Sequence, residues 1–455
     1  MNARSALLPA SRQPPFTFGR LLVVYATLTL LPYLWSLTQD LAYRGVYTTI
    51  VTILNLTGLA ALLAQSLLSG RIDAVTRYAG IDNGMRLHRQ VGELVGIYFF
   101  LHPLLIVLPR YMIAPQRANA DLWTSLTASE SATGLYALCL MAVWVLMAKY
   151  REKLRISYEA WRISHGVGLV AVAILAAHHA VTVGRHGRYD PWFDVLWIML
   201  CALAVGATCY TYFVRPMIQK GRPFKIIDVC KAGASDWSLT IEKDGHFNFA
   251  FDAGQFVWLN TSGNPFNRTE HPFSIASSPS DPTRLSFVIR ELGDYTRNIS
   301  ELRIGQRVFV DGPHGVFTLV GRKAEGIALI AGGAGIGPIL GLLRQLRDLG
   351  ETRPVRLVYG NRSYDQMVFQ KEILQTETSL RDFRQLLVLE RTAEGIDGYV
   401  GVIDRNLLEK TFPTSTHDTW LFYVCGPPVM VNAVADHLAA LGVPAEGVLF
   451  ERLAF

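Results

Sequence analysis

The sequence predicts a multidomain chain: an all-α transmembrane domain of six helices, then an antiparallel β-barrel, then an α/β Rossmann-like domain. Three observations carry this reading. The 455 residues are 50% apolar and only 18% charged, against roughly 25% charged in an ordinary soluble domain. Charge is thin in the first 218 residues, which nonetheless hold 18 of the 43 Lys+Arg and only 10 of the 37 Asp+Glu. The basic excess therefore belongs to the membrane-like half, and no nucleic-acid partner is needed to explain it. From about residue 222 the pattern changes to short β-type runs, and from 327 to strands alternating with helical stretches.

Charge-free stretches define the spans. Residues 21–39, 45–70, 131–148, 163–184 and 195–214 each run 18 residues or more between charges, enough to cross a hydrocarbon core of ~30 Å. The sixth, 88–109, is apolar from Val91 onward apart from Glu93, which can pair with Arg89 four residues earlier. One set of loops carries Arg4, Arg12, Arg20, Arg71, Arg77, Arg86, Arg89, Lys149, Arg151, Lys153 and Arg155, and the segment after the last span begins with Arg215 and Lys220. The other set mixes Arg44, Arg110, Arg117, Arg185 and Arg188 with Asp40, Asp121, Glu130 and Asp190. The positive-inside rule puts the first set, both termini and everything after 215 in the cytoplasm. No small-residue cleavage site follows the first span, so it does not read as a signal peptide.

In the second half, Phe256–Leu259, Leu285–Ile289 and Val308–Val310 predict strands of a small antiparallel barrel. Ile327–Ala331, a Gly-rich turn with a helix to about 349, Val355–Tyr359, Gln385–Leu389 and Trp420–Val424 predict a parallel nucleotide-binding sheet. The five cysteines (Cys139, Cys201, Cys209, Cys230, Cys425) form no CxxC pair. That spacing argues against a disulfide framework, a zinc site of usual spacing and a cysteine-ligated iron–sulfur cluster.

Of eleven histidines, His88 and His102 lie 14 apart on the third span, and His165, His178 and His179 lie on the fifth. A polar ring in hydrocarbon is expensive and marks function by default. A spacing of 14 is ~21 Å along a helix and returns to nearly the same face. Two such pairs on two co-directional helices form a ladder able to hold two stacked haems. His88 and His165 hold the inner one; His102 and His178 hold the outer. A spacing of 13 turns ~220° on an ideal helix, so His179 would face better than His178 unless Gly166 and Gly168 permit local irregularity.

His271-Pro272-Phe273-Ser274 supplies a donor for a flavin pyrophosphate, an aromatic ring beside the cofactor and a hydroxyl for flavin N5. Gly293-Asp294-Tyr295-Thr296 offers a turn with backbone donors for phosphate. Gly333-Ala334-Gly335-Ile336-Gly337-Pro338 lies between a strand and a helix, where backbone approaches a pyrophosphate and the helix N-terminus favours its charge. Arg362, in Tyr359-Gly360-Asn361-Arg362, places a fixed cation where an adenosine 2′-phosphate would lie. Cys425-Gly426-Pro427-Pro428 ends what reads as the last parallel strand, where ligands bind in such sheets. The final residue, Phe455, is placed to stack on the flavin ring.

Together these motifs resemble the superfamily of ferric reductases and NADPH oxidases over about residues 20–455. The histidine spacings, Tyr158-Glu159-Ala160-Trp161-Arg162, the flavin and nicotinamide motifs and the terminal Phe-Glu-Arg-Leu-Ala-Phe carry the resemblance. It implies FAD, NADPH and two b-type haems as one relay, and it selects His178 as the outer ligand. The implied boundaries are 1–19 for a cytoplasmic segment, 20–215 for the haem domain, 216–322 for the FAD-binding barrel and 323–455 for the NAD(P)H-binding domain. Ser274, Cys425, Phe455 and the outer-loop cation Arg44 are the expected catalytic set. Many oxidases carry a further histidine one turn beyond the outer ligand of the third span; here that position is Ile106.

The expected activity is transmembrane electron transfer from cytoplasmic NADPH to dioxygen, giving superoxide. Chelated ferric iron is the alternative acceptor, and a membrane reductase serving a quinone or a protein partner the rival of another class. The expected setting is the bacterial inner or plasma membrane, with lipid around the helices, no nucleic acid and no obligatory protein partner.

Overall fold

The computed structural model describes residues 18–69, 71, 72, 75, 81–151, 153, 154, 156–391 and 398–452. The chain divides into two compact units, one over 15–216 and one from Met217 onward.

The first unit is all-helical. Its long helices are α1 (Phe18–Ser36), α2 (Val46–Ala64, prolonged by a tighter turn over Gln65–Leu68), α3 (Ile81–Ile113), α5 (Ala132–Lys149), α6 (Tyr158–Val183) and α7 (Pro191–Cys209). A π turn over Tyr210–Val214 carries α7 on into a helix over Arg215–Lys220. A shorter helix, α4 (Pro115–Thr127), fills the loop between α3 and α5 and begins on proline, which suits a first turn whose N–H has no partner anyway. Among the described residues five helices, over Val46–Leu68, Asn83–Ile113, Ser129–Lys149, Tyr158–Val183 and Pro191–Lys220, are long and apolar enough to cross a membrane. The helix Phe18–Ser36 is not among these five.

Local chemistry sets the helix starts. Ser157 caps α6 by accepting from the Ala160 N–H at 3.2 Å, and Asp190 caps α7 by accepting from the Trp192 N–H at 3.0 Å. Helix α6 runs unbroken past Gly166 and Gly168. These glycines do not kink it: a Cβ at Gly166 would meet the Tyr212 ring, and one at Gly168 the Trp144 ring. They are close-approach positions between membrane helices.

The second unit begins with a six-stranded antiparallel sheet in the order β4-β3-β6-β1-β2-β5. The strands are β1 (Phe224–Lys231), β2 (Asp236–Lys243), β3 (Phe256–Asn260), β4 (Glu270–Ser274), β5 (Arg284–Arg290) and β6 (Arg307–His314). A single bridge between Ile275 and Phe287 links the segment after β4 to β5, the two ends of that order. Phe224, Ile226, Leu239, Ile241, Val257 and Phe287 form its buried core.

The remaining strands make a six-stranded parallel sheet in the order β10-β9-β8-β7-β11-β12. They are β7 (Gly326–Gly332), β8 (Val355–Asn361), β9 (Phe383–Leu389), β10 (Tyr399–Val400), β11 (Trp420–Gly426) and β12 (Val448–Arg452). Helices α8 (Ile336–Asp348), α9 (Gln370–Ser379), α10 (Arg405–Thr411) and α11 (Pro428–Ala440) connect them. The strand ending at Cys425 is therefore not the last: β12 follows and pairs beside it, with Gly426 across from Arg452. Strand order reverses between β7 and β11. A crevice at such a switch point, beyond the carboxyl ends of the strands, is where ligands bind in open α/β sheets.

Candidate functional site

In the helical unit the site is built by α3 and α6. The rings of His88 and His165 stand edge to face, with centroids 6.2 Å apart and planes at 82°. Nδ1 of His88 lies 3.1 Å from the Gln65 carbonyl oxygen. A carbonyl only accepts, so Nδ1 carries the proton and Nε2 keeps its lone pair. An imidazole held in this way is the usual form of a metal-ligating histidine. Trp161 stacks on the other member, His165, at 5.4 Å and 17°.

The second pair is placed differently from the expected His102 and His178. His102 and His179 both line a cavity of about 450 Å³. His178 is exposed, with Nδ1 3.3 Å from the Thr133 hydroxyl, and does not line the cavity. The unbroken helix explains this: 165 to 179 is a step of 14, matching 88 to 102, so both lower and upper rings return to one face. Gly134 on α5 makes the room, since a Cβ there would fall 2.7 Å from the His179 ring. Nδ1 of His102, His165 and His179 is buried without a hydrogen-bond partner. Among the described residues no group of three or more His, Cys, Asp or Glu could hold a metal. A haem iron asks for fewer: its porphyrin supplies four ligands and the protein two. His88 opposite His165, and His102 sharing a cavity with His179, offer four buried or half-buried imidazoles on α3 and α6 that fit that demand.

Ile106 lines the same cavity, as do Arg185 and His186 from the loop between α6 and α7. Arg44 is exposed before α2 and is not among the lining residues. The cation at this cavity is Arg185. Its position six residues past His179, just beyond a charge-free span, was the available signal.

In the second unit, His271 and Phe273 on β4 lie along the Tyr295 ring, with centroids 4.0 Å and 6.1 Å away. The Tyr295 hydroxyl is 3.0 Å from Thr261 Oγ1 and donates to the Leu259 carbonyl at 3.3 Å. Burial pushes the phenol up to about 12, so the ring is a neutral platform. Pro272 is exposed and Ser274 half-buried at the strand end. The turn at 293–296 is tighter than expected. Thr296 Oγ1 accepts the N–H groups of Leu292 and Gly293 at 2.8 and 3.0 Å, so the Gly293 N–H already has a partner inside the turn.

The Gly-rich turn lies at the switch point. Gly333 has φ +54°, and a Cβ on it would come 2.5 Å from Arg290 Nη1. Arg290 is held by Asp236, Nε to Oδ1 and Nη2 to Oδ2, both at 2.9 Å. A Cβ at Gly335 would collide with the Cys425 carbonyl oxygen and reach the backbone of Gly426 at 2.7 Å. Gly337 and Pro338 are buried in the first turn of α8. The Cys425 thiol is fully buried, and burial pushes it up. What this residue presents to the Gly-rich turn is its carbonyl, with Gly426 and Pro427 leading into α11. Arg362 is exposed just past the end of β8. Phe455 lies outside the described residues.

Residues 54–176 match the family of ferric reductase like transmembrane components. Residues 222–318 match an FAD-binding domain and 329–436 an oxidoreductase NAD-binding domain. The reductase component of propane 2-monooxygenase from Mycolicibacterium goodii is 32% identical over 211 residues, 45% of this chain and 59% of that protein. NADH-cytochrome b5 reductase 1 of Cryptococcus neoformans is 34% identical over 164 residues, 34% of this chain and 55% of that protein. The chain thus spans little more than half the length of these relatives. Similar solved structures include a cytochrome P450 reductase from Amycolatopsis, at 22% identity, TM-score 0.46, 51% of this chain and 69% of that one. The FAD/NAD-binding domain of nitric oxide dioxygenase from Vibrio cholerae is similar at 21% identity and TM-score 0.45, over 51% of this chain and 98% of that one.

Proposed function

Starting from its membership of the ferric reductase and NADPH oxidase superfamily, carried by three domain matches in order, we propose that the chain moves electrons across a membrane. The donor is cytoplasmic NADPH, the carriers are FAD and two b-type haems, and the acceptor lies on the far side. Dioxygen, giving superoxide, is the leading acceptor; a ferric chelate is the alternative. The chain would cross the membrane six times, Phe18–Ser36 included, with both termini and the second unit inside.

One observation supports the reading above others: two imidazole pairs across α3 and α6, separated by the same step of 14 residues along each helix. FAD supplies conversion of a two-electron hydride donor to single electrons, and two haems supply the stepping points that ~30 Å of hydrocarbon requires. The residues do the rest. His88 with His165 and His102 with His179 fix two irons at two depths. His271, Phe273 and Tyr295 hold the flavin, and Ser274 is placed to bond its N5. The turn Gly333–Gly337 and the strand end Cys425–Pro427 take the nicotinamide dinucleotide, and Phe455 is proposed to cover the flavin ring. Arg362 is the reason for choosing NADPH, although the similar cytochrome b5 reductases are named for NADH.

Detergent-purified protein with FAD and haem tests the proposal. Anaerobic NADPH should reduce both haem bands, with slower reduction by NADH. Admitting oxygen should then give superoxide, read as cytochrome c reduction that superoxide dismutase suppresses. Reoxidation by air without superoxide, alongside rapid reoxidation by ferric chelate, would hand the activity to the ferric reductase reading. Haem bands that NADPH leaves oxidised would end both.

A further inference from the structure

The cavity that holds His102 and His179 has one charged end. Its lining includes Arg185 and His186 and, among the described residues, no aspartate or glutamate. Nε of Arg185 is buried and has no hydrogen-bond partner, and Nη2 has only the Ala42 carbonyl at 3.5 Å. Among the described residues no carboxylate pairs with this guanidinium. The carboxylate of Asp190, nearby in sequence, is engaged elsewhere: it accepts from Trp35 Nε1 at 3.1 Å and from the Trp192 N–H at 3.0 Å. His186 is held as well, with Nδ1 2.7 Å from Gln39 Oε1 and its ring 5.1 Å from Phe193.

An unpaired guanidinium at the rim of a largely apolar cavity is costly unless an anion completes it. A b-type haem is held without covalent links and carries two propionate carboxylates. The planar fork of an arginine matches a carboxylate in two parallel hydrogen bonds. Resting on the haem reading above, we propose that Arg185 anchors a propionate of the outer haem, with His186 beside it. The cation therefore fixes how the macrocycle is turned between His102 and His179. The residue is a cofactor anchor.

The test uses the full-length protein, depleted of haem in detergent and refilled with haem or with haem dimethyl ester, which lacks both carboxylates. The outer site is followed by the absorbance that His102→Leu removes. Wild type should retain haem over the ester there by roughly tenfold to a hundredfold. Arg185→Gln should erase that preference, Arg185→Lys should restore part of it, and Arg117→Gln, at an exposed cation of α4 that does not line the cavity, should keep it whole. A second readout is the midpoint potential. Removing a cation stabilises the ferric form, so Arg185→Gln should move one haem transition to lower potential and leave the other in place. A wild type indifferent to esterification, or an Arg185→Gln protein as selective as wild type, overturns the proposal. If Arg185→Gln does not fold, Arg185→Lys decides: selectivity equal to wild type rejects the fork. A wild type that takes up no haem at all fails one step earlier, at the proposed function.

Discussion

The two units carry their chemistry in opposite ways. In the helical unit it is in side chains: the histidines of α3 and α6, of which His102 stands alone among apolar residues. In the second unit it is largely in the backbone: Gly333, Gly335 and Gly426 matter for the atoms they lack. The surroundings explain the difference. All seven residues of β7 are buried, whereas only 17% of the most apolar window of Asn83–Ile113 is buried within the protein. Leu94, Phe100 and Ile113 face outward at 67%, 64% and 86% exposure, as side chains meant for lipid do. Where the solvent is hydrocarbon, a polar side chain is conspicuous and almost always functional. Where polar side chains are ordinary, close approach of backbone to ligand is the scarcer commodity.

The sharpest way to break this comparison is to remove the side chains. His102→Leu and His179→Leu should each abolish transmembrane transfer and halve the haem absorbance, with NADPH-driven flavin reduction intact. His178→Leu should keep both haems. If His178→Leu alone halves the absorbance, the exposed histidine is the ligand and the cavity assignment falls.

A smaller blow comes from adding one methyl in each unit. Gly134→Ala puts a Cβ 2.7 Å from the His179 ring. A contact that short forces the ring or α5 to shift, and overpacked sites relax only partly. Most of the outer haem should be lost while flavin reduction stays normal. Gly335→Ala should do the reverse. Its methyl would collide with the Cys425 carbonyl and displace the turn, and ~1 Å of misplacement costs on the order of a hundredfold. Flavin reduction by NADPH should fall by about that factor at unchanged haem content. Equal losses of haem in both variants would mean general unfolding.

Gly134 also shows why part of the site was hidden in the sequence. His88, His102 and His165 were legible because spacing along one helix determines a shared face. Which of two adjacent histidines enters the cavity depends on α5, a third helix remote in sequence, where Gly134 leaves room for the His179 ring. Arg185 was missed for a related reason. Loops have no periodicity, so Arg44, next to the start of α2, looked as well placed. In the second unit the alternation of strands and helices was readable, and so was the Gly-rich turn. The edge strand β12 was not, because five residues after Gly447 give little pattern. The engagement of Gly293 by Thr296 was not readable either, since a side chain that serves a ligand and one that closes its own turn look alike in sequence.

The smallest expected effect tests a side chain in the unit where backbone dominates. Arg362 is exposed at the end of β8, beside the switch point, and among the described residues no hydrogen bond or ion pair fixes its guanidinium to the fold. Its removal should therefore leave stability and haem content alone. A 2′-phosphate would gain a charge-assisted contact there that the 2′-hydroxyl of NADH lacks. Arg362→Ala should raise the KM for NADPH by one to two orders of magnitude, at about 1.4 kcal/mol per tenfold, and leave that for NADH nearly unchanged. Steady-state rates with both nucleotides, measured with a soluble one-electron acceptor that bypasses the haems, isolate the effect. Parallel losses for both nucleotides would make the residue a general contributor to dinucleotide binding. Unchanged values for both would show that the 2′-phosphate lies elsewhere on the sheet edge. Either result removes the ground for preferring NADPH, because no other cation in the second unit was assigned to it.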